Sequence, residues 1–158
     1  MKLRFGVFLI VTVAAMALCY VPATLRAQSY GSQTPEAQAS APENTWSGIY
    51  TKDQAAKGEM LYIDQCASCH GPDGAGADAP TVAGGEFASN WDGLNVGQLF
   101  DRVRDTMPQD DPQTLSREDT AALLAFMFVK NGFPPGEVPL PGDGDSLFRI
   151  KYLANKPY

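Results

Sequence analysis

Residues 66–70 read Cys-Ala-Ser-Cys-His, and they hold two of the three cysteines and the only histidine in a chain of 158 residues. Thiolates and imidazoles bind metals, and thiolates are also redox-active nucleophiles. Three chemistries use such a cluster: a reactive dithiol, part of a metal site, and an attachment point for haem. A disulfide oxidoreductase would carry Cys-x-x-Cys in a β-α-β setting. Here a helical pattern runs into the motif, and no segment alternates as a strand does. A structural zinc site takes four ligands, commonly as two separated pairs, and the rest of the chain cannot supply a second pair.

Haem attachment accounts for both cysteines, their spacing and the histidine. Two thiols add to the two vinyl groups of the porphyrin, and two intervening residues span the gap. The next residue, His70, is then held under the iron as the proximal ligand. One covalent haem c on Cys66 and Cys69 is therefore expected. No second histidine exists, so the distal ligand is not an imidazole. Beyond residue 27 the methionines are Met60, Met107 and Met127. Met60 lies on the helix that enters the motif and cannot easily reach the opposite haem face. Met127 falls in an amphipathic helical pattern, where a gap-filling role is expected. Met107 stands in the loop Asp-Thr-Met-Pro-Gln-Asp-Asp-Pro between two helices and is the expected distal ligand. Pro108 stiffens the loop and disfavours helical backbone at Met107.

The elements that must carry these residues follow from the rest of the chain. Lys2 and Arg4 precede an uncharged run from Phe5 to Leu25. That pattern reads as a secretory signal over residues 1–27, cleaved after Ala23 or Ala27, or as an uncleaved N-terminal anchor. Cys19 lies inside it, either as a small apolar residue or as a lipidation site. Export places the working domain in the periplasm. Removing residues 1–27 leaves nine basic against eighteen acidic residues, a formal −9. Phosphate backbones need a basic surface, so no nucleic-acid partner is expected. Residues 28–44 are rich in Ser, Gln, Ala and Pro and read as a flexible linker.

Three helical patterns follow. The first begins at Thr51 with Gln54 completing a capping box, and Ala55, Gly58, Leu61 and Tyr62 share one face. The second begins after Asn95, with Val96, Leu99, Phe100 and Val103 as its stripe. The third is capped by Ser116 and Asp119 and closed by Gly132. Glycine- and proline-rich loops join them. Such a thin core needs a large buried group to pack on.

From about Ala56 to Gly132 the chain resembles class I cytochrome c. Gly58 and Tyr62 stand eight and four residues before Cys66, and Leu123, Leu124, Ala125 and Phe126 match the pattern of the last helix. The resemblance implies an all-α fold of three to five short helices and long loops around one covalent haem. It implies that the first and last helices cross at Gly58, and that Pro80 offers its carbonyl to His70. Trp91, Thr106-Met107-Pro108 and Asn131-Gly132-Phe133-Pro134 look more closely like cytochrome c subunits and domains that accept electrons from quinoprotein (PQQ) dehydrogenases. On this reading residues 45–135 form the cytochrome domain, and residues 136–158 form a C-terminal extension packed on it. The protein is then an electron carrier with no catalysis of its own, fed by a periplasmic dehydrogenase and drained by a terminal oxidase or another cytochrome. A haem subunit docked permanently on a quinoprotein dehydrogenase and a Cys-x-x-Cys oxidoreductase are the alternatives. Trp91 either reaches a haem propionate or packs in the core, and Arg102 and Arg104 either pair with propionates or face solvent. Asp101, Asp105, Asp110 and Asp111 flank Met107 and would steer a basic partner.

Overall fold

The structure is a computed structural model, and it describes residues 44–158. The expected export segment, Cys19 and all but the last residue of the expected linker lie outside that range. Among the described residues there are six helices: α1 Lys52–Gln65, α2 Ala67–His70, α3 Gly85–Trp91, α4 Val96–Thr106, α5 Arg117–Lys130 and α6 Gly144–Leu147. Among the described residues there is no strand, only isolated bridges from Lys151 to Asn44 and Asn95.

The two fourteen-residue helices, α1 and α5, form the frame. Thr51 Oγ1 accepts from the Gln54 N–H at 3.2 Å and starts α1. The expected return bond from the Gln54 side chain is absent. Its amide instead donates to Leu140 O at 2.9 Å and accepts from Leu140 N–H at 2.8 Å. Leu140 is buried, so its backbone needs partners, and one amide satisfies both groups. Ser116 accepts from the Asp119 N–H at 3.0 Å and starts α5. At the other end Gly132, at φ +80°, lets its own N–H reach Val129 O while Phe133 N–H reaches Phe128 O. That Schellman closure takes up carbonyls that α5 leaves unpaired.

Residues 120–128 of α5 are buried on every side, so this helix is a core rod rather than the amphipathic helix its sequence suggests. It is enclosed by α1, by α4 and by the segment after Pro135. Gly58 sets the approach of α1. A Cβ there would stand 1.9 Å from Ala122 O and 3.0 Å from Phe126 Cβ. The helices therefore touch backbone to backbone. Lys57 and Asp119 bridge them at 2.7 Å. The lysine's hydrogen bond, followed by that of Ser116, holds the Asp119 carboxyl below the usual carboxylate range. This pair is at the surface and contributes no more than about 1 kcal/mol.

The C-terminal segment is woven into the same core. Leu147, Ile150 and Tyr152 are buried beside Phe87, Phe100, Phe128 and Phe133. Its backbone is held from two sides. Thr45 N–H donates to Lys151 O, Val96 N–H to Ile150 O and Tyr152 N–H to Leu94 O, at 2.9–3.0 Å. The Val96 N–H is one of the groups α4 cannot satisfy itself, so the tail completes the helix start.

Replacing Gly58 with Ala should destabilise the folded protein by about 2–3 kcal/mol, because the added methyl meets backbone that cannot yield. Chemical denaturation should show this as a lowered midpoint. Glu59→Ala, on the exposed side of α1, should leave the midpoint within about 0.5 kcal/mol of the parent. Equal midpoints for the two variants would contradict the close crossing.

Candidate haem site

Tyr62 turns α1 into the cysteine motif. Its ring lies 4.9 Å from that of Phe126, and its hydroxyl donates to Gly71 O at 2.6 Å. Burial, ahead of the nearby Cys66 and Asp73, pushes the phenol up to about 12, so the donor keeps its proton. Cys66 ends α1 and opens α2. Cys69 N–H and His70 N–H both donate to Cys66 O, at 3.2 and 2.9 Å. One helical turn therefore presents Cys66, Cys69 and His70 together. Both cysteines are free thiols, Cys66 half-buried and Cys69 exposed. Burial, with Cys69 as a second cause, pushes the Cys66 thiol up to about 11. A redox-active dithiol needs the opposite shift, which weighs against the oxidoreductase alternative.

Behind His70 the chain folds back on itself. Gly71 takes φ +81° and Gly76 takes φ +91°, where a side chain would be strained. Gly76 N–H donates to His70 O and Ala79 N–H to Cys69 O, both at 2.9 Å. The loop returns Pro80 O to 2.7 Å from His70 Nδ1. A carbonyl only accepts, so the ring proton belongs on Nδ1 and the lone pair on Nε2. The next residues are tied down in turn. Thr81 Oγ1 donates to Gly74 O at 2.9 Å, and Asn131 reaches the loop from the end of α5.

The three methionines occupy different environments. Met60 is 67% exposed and Met127 is 5% exposed within the main core cluster. Met107 is half-buried at the end of α4, where its extended backbone stops the helix and its N–H donates to Val103 O at 2.9 Å. The Met107–Pro108 peptide is cis. Trp91 closes α3, half-buried against the core, with its ring centroid 6.1 Å from Phe87. Arg102 is exposed. Arg104 differs: Nη1 meets Asp105 at 3.4 Å, while Nε is buried with no hydrogen-bond partner. Of the flanking acids, Asp105, Asp110 and Asp111 are exposed and Asp101 is half-buried.

These residues fit a haem. The thiols are unpaired, the imidazole has a free lone pair, and a thioether waits on a separate element. Leu61, Ala67, Val82 and Val103, with Cys66 among them, supply half-buried apolar surface beside Tyr62, Leu115, Leu123 and Phe126. Leaving a buried donor such as Arg104 Nε–H unpaired costs about 1–3 kcal/mol, and a carboxylate of the haem would remove that cost. The sequence marked the cysteines, the histidine and Met107. Asn131 entered it only within the Asn131-Gly132-Phe133-Pro134 resemblance, because nothing local in the sequence shows that its side chain reaches a loop some fifty residues earlier.

The chain is similar to several known proteins. A family model described as cytochrome c oxidase, cbb3-type, subunit III matches residues 53–127. A thiosulfate dehydrogenase of Stutzerimonas stutzeri (strain A1501) is 33% identical over 110 residues, covering 63% of this chain and 34% of that protein. Cytochrome c-551 of Bacillus subtilis (strain 168) is 30% identical over 83 residues, covering 52% of this chain and 69% of the relative. Among solved structures, the sulfane dehydrogenase SoxCD of Paracoccus pantotrophus aligns at 30% identity and a TM-score of 0.42, over 59% of this chain and 55% of that one. The chain thus spans about a third of the thiosulfate dehydrogenase and just over half of the SoxCD chain. The match to a small cytochrome over most of that relative's length decides the family: this chain is a class I monohaem c-type cytochrome, whose cofactor is covalently bound haem c.

Proposed function

We propose that Cys66 and Cys69 hold the haem as thioethers, that His70 and Met107 are its axial ligands, and that the protein carries electrons in the periplasm from a dehydrogenase. The observation that carries this reading is the 2.7 Å contact between His70 Nδ1 and Pro80 O. When bound, the haem supplies one iron that gains or loses a single electron. Pro80 fixes the plane of the imidazole and makes Nε2 a stronger donor. Met107 adds a soft, uncharged thioether, which favours the ferrous state and raises the potential. With His70 and Met107 both holding the iron, oxygen and substrates would be kept from it. Arg104 Nε–H and the Trp91 indole N–H are the donors we assign to the propionates, which would hold those charges on the protein side. The export segment 1–27 supports a periplasmic location, and the formal −9 of the remaining chain supports a basic partner.

The donor is a quinoprotein dehydrogenase or, given the thiosulfate dehydrogenase among the relatives, an enzyme oxidising an inorganic sulfur compound. The acceptor is a terminal oxidase or another cytochrome. One observation favours a second reading, a haem subunit docked permanently on a dehydrogenase. The chain matches only a third of that longer relative, as a module would.

Replacing Met107 with Ala should abolish the weak long-wavelength charge-transfer band of the oxidised protein. It should also lower the potential and open the ferrous iron to carbon monoxide, while the haem stays attached. A variant that keeps the band and excludes carbon monoxide would identify another distal ligand. Electron transfer to a basic partner should slow as ionic strength passes roughly 0.1 M, where screening acts over about 10 Å. A rate indifferent to salt would favour the permanently docked subunit.

A further inference from the structure

Asn131 follows the last residue of α5, yet its side chain faces two elements. Its Nδ2 donates to Met127 O, within its own helix, at 2.8 Å. The same nitrogen donates to Val82 O at 3.2 Å. Its Oδ1 accepts from the Gly84 N–H at 3.1 Å. Two carbonyls on one side and one N–H on the other fix the orientation of the amide. Val82 and Gly84 lie just beyond Pro80, whose carbonyl faces His70. Three further hydrogen bonds of this stretch run to Gly74: Val82 N–H at 2.8 Å, Ala83 N–H at 3.1 Å and Thr81 Oγ1 at 2.9 Å. Gly74 belongs to the same glycine-rich loop, so those bonds shape the loop; apolar packing of Val82 and the Tyr62 hydroxyl on Gly71 O hold it to the core, but neither bonds the backbone beside Pro80. Asn131 anchors it to α5, the most buried helix of the fold.

We infer that Asn131 is a positioning residue for the iron ligand. By holding Val82 and Gly84 against the end of α5, it keeps Pro80 O on His70 Nδ1 and so sets the donor strength of the imidazole. The inference rests on His70 being the proximal ligand. Weakening the Nδ1–H bond makes Nε2 a poorer donor, which stabilises ferric iron less and raises the potential. A residue that merely ended α5 would change stability and leave the potential alone.

The test uses the full chain, exported and matured with haem. Exchange of the His70 Nδ1 proton is followed by its hyperfine-shifted resonance, together with the reduction potential and the thermal midpoint. In Asn131→Ala the proton should exchange at least about tenfold faster, as the loop opens locally. The ferrous-to-ferric ratio at fixed potential should rise about threefold, or about 30 mV at 59 mV per decade. The charge-transfer band should persist. Asn131→Ser guards against a failure of the first variant to mature. Its hydroxyl still bonds Met127 O but is too short to reach Val82, so both shifts should appear with a midpoint near the parent's. A lowered midpoint with parental exchange and potential would reduce Asn131 to a helix cap and overturn the inference alone. A parent protein with no such ring proton on an iron-bound imidazole would overturn the ligand assignment and the inference together.

Discussion

A single missing side chain governs the frame. With a Cβ at position 58 placed 1.9 Å from Ala122 O, α1 and α5 meet only because Gly58 has none. That contact brings Tyr62 onto Phe126, and the Tyr62 hydroxyl then holds Gly71 at the exit of the cysteine turn. The same rod, α5, ends at Asn131, which grips the loop that brings Pro80 back to His70. The turn and the carbonyl facing its histidine therefore hang from the two partners of one helix crossing.

The apolar side chains divide into two buried clusters. One surrounds α5, α4 and the C-terminal segment, and the other joins Tyr62, Leu115, Leu123 and Phe126. Val82 and Val103 pack against both. Val103 lies on α4 just before Met107, and Val82 lies just after Pro80, so the two connecting residues also flank the two candidate ligand arms. Tyr152 shows what the tail adds. Its hydroxyl is buried without an acceptor, which costs about 1–3 kcal/mol. Its ring meets Phe133 edge-on at 5.2 Å and Phe87 at 6.2 Å. Two such pairs, at about 0.5–1.5 kcal/mol each, together with burial of the ring, outweigh the orphaned hydroxyl.

Local chemistry was legible in the sequence, and long-range pairing was not. Thr51 and Ser116 announced their helices because a cap acts on a neighbour three residues away. Gly58 was legible only through a family resemblance, since a glycine in a helix carries no sign of what crosses it. Gln54 was misread because its partner, Leu140, lies far along the chain in a segment with no periodic pattern. The helix α3 was missed because its N-cap is Gly84 and Phe87 is its only buried residue. Beyond residue 135 the packing of the segment was legible but not the residues that make it: Leu147, Ile150 and Tyr152 are spaced for neither a helix nor a strand, and the bonds from Thr45, Leu94 and Val96 that hold residues 150–152 are long-range. The cysteine–histidine turn needed none of this, because its reacting groups are consecutive in the chain.

Every role at the site depends on which residues carry the cofactor. Proteolysis of the matured protein followed by mass measurement of its peptides addresses that directly. The peptide containing residues 66–70 should carry the mass of one haem, and it should keep that mass through denaturation and acid–acetone extraction. In a Cys66→Ala, Cys69→Ala double variant no peptide should carry it. Haem released into the solvent layer, or found on a peptide without Cys66 and Cys69, would contradict the assignment from which the rest of the site is built.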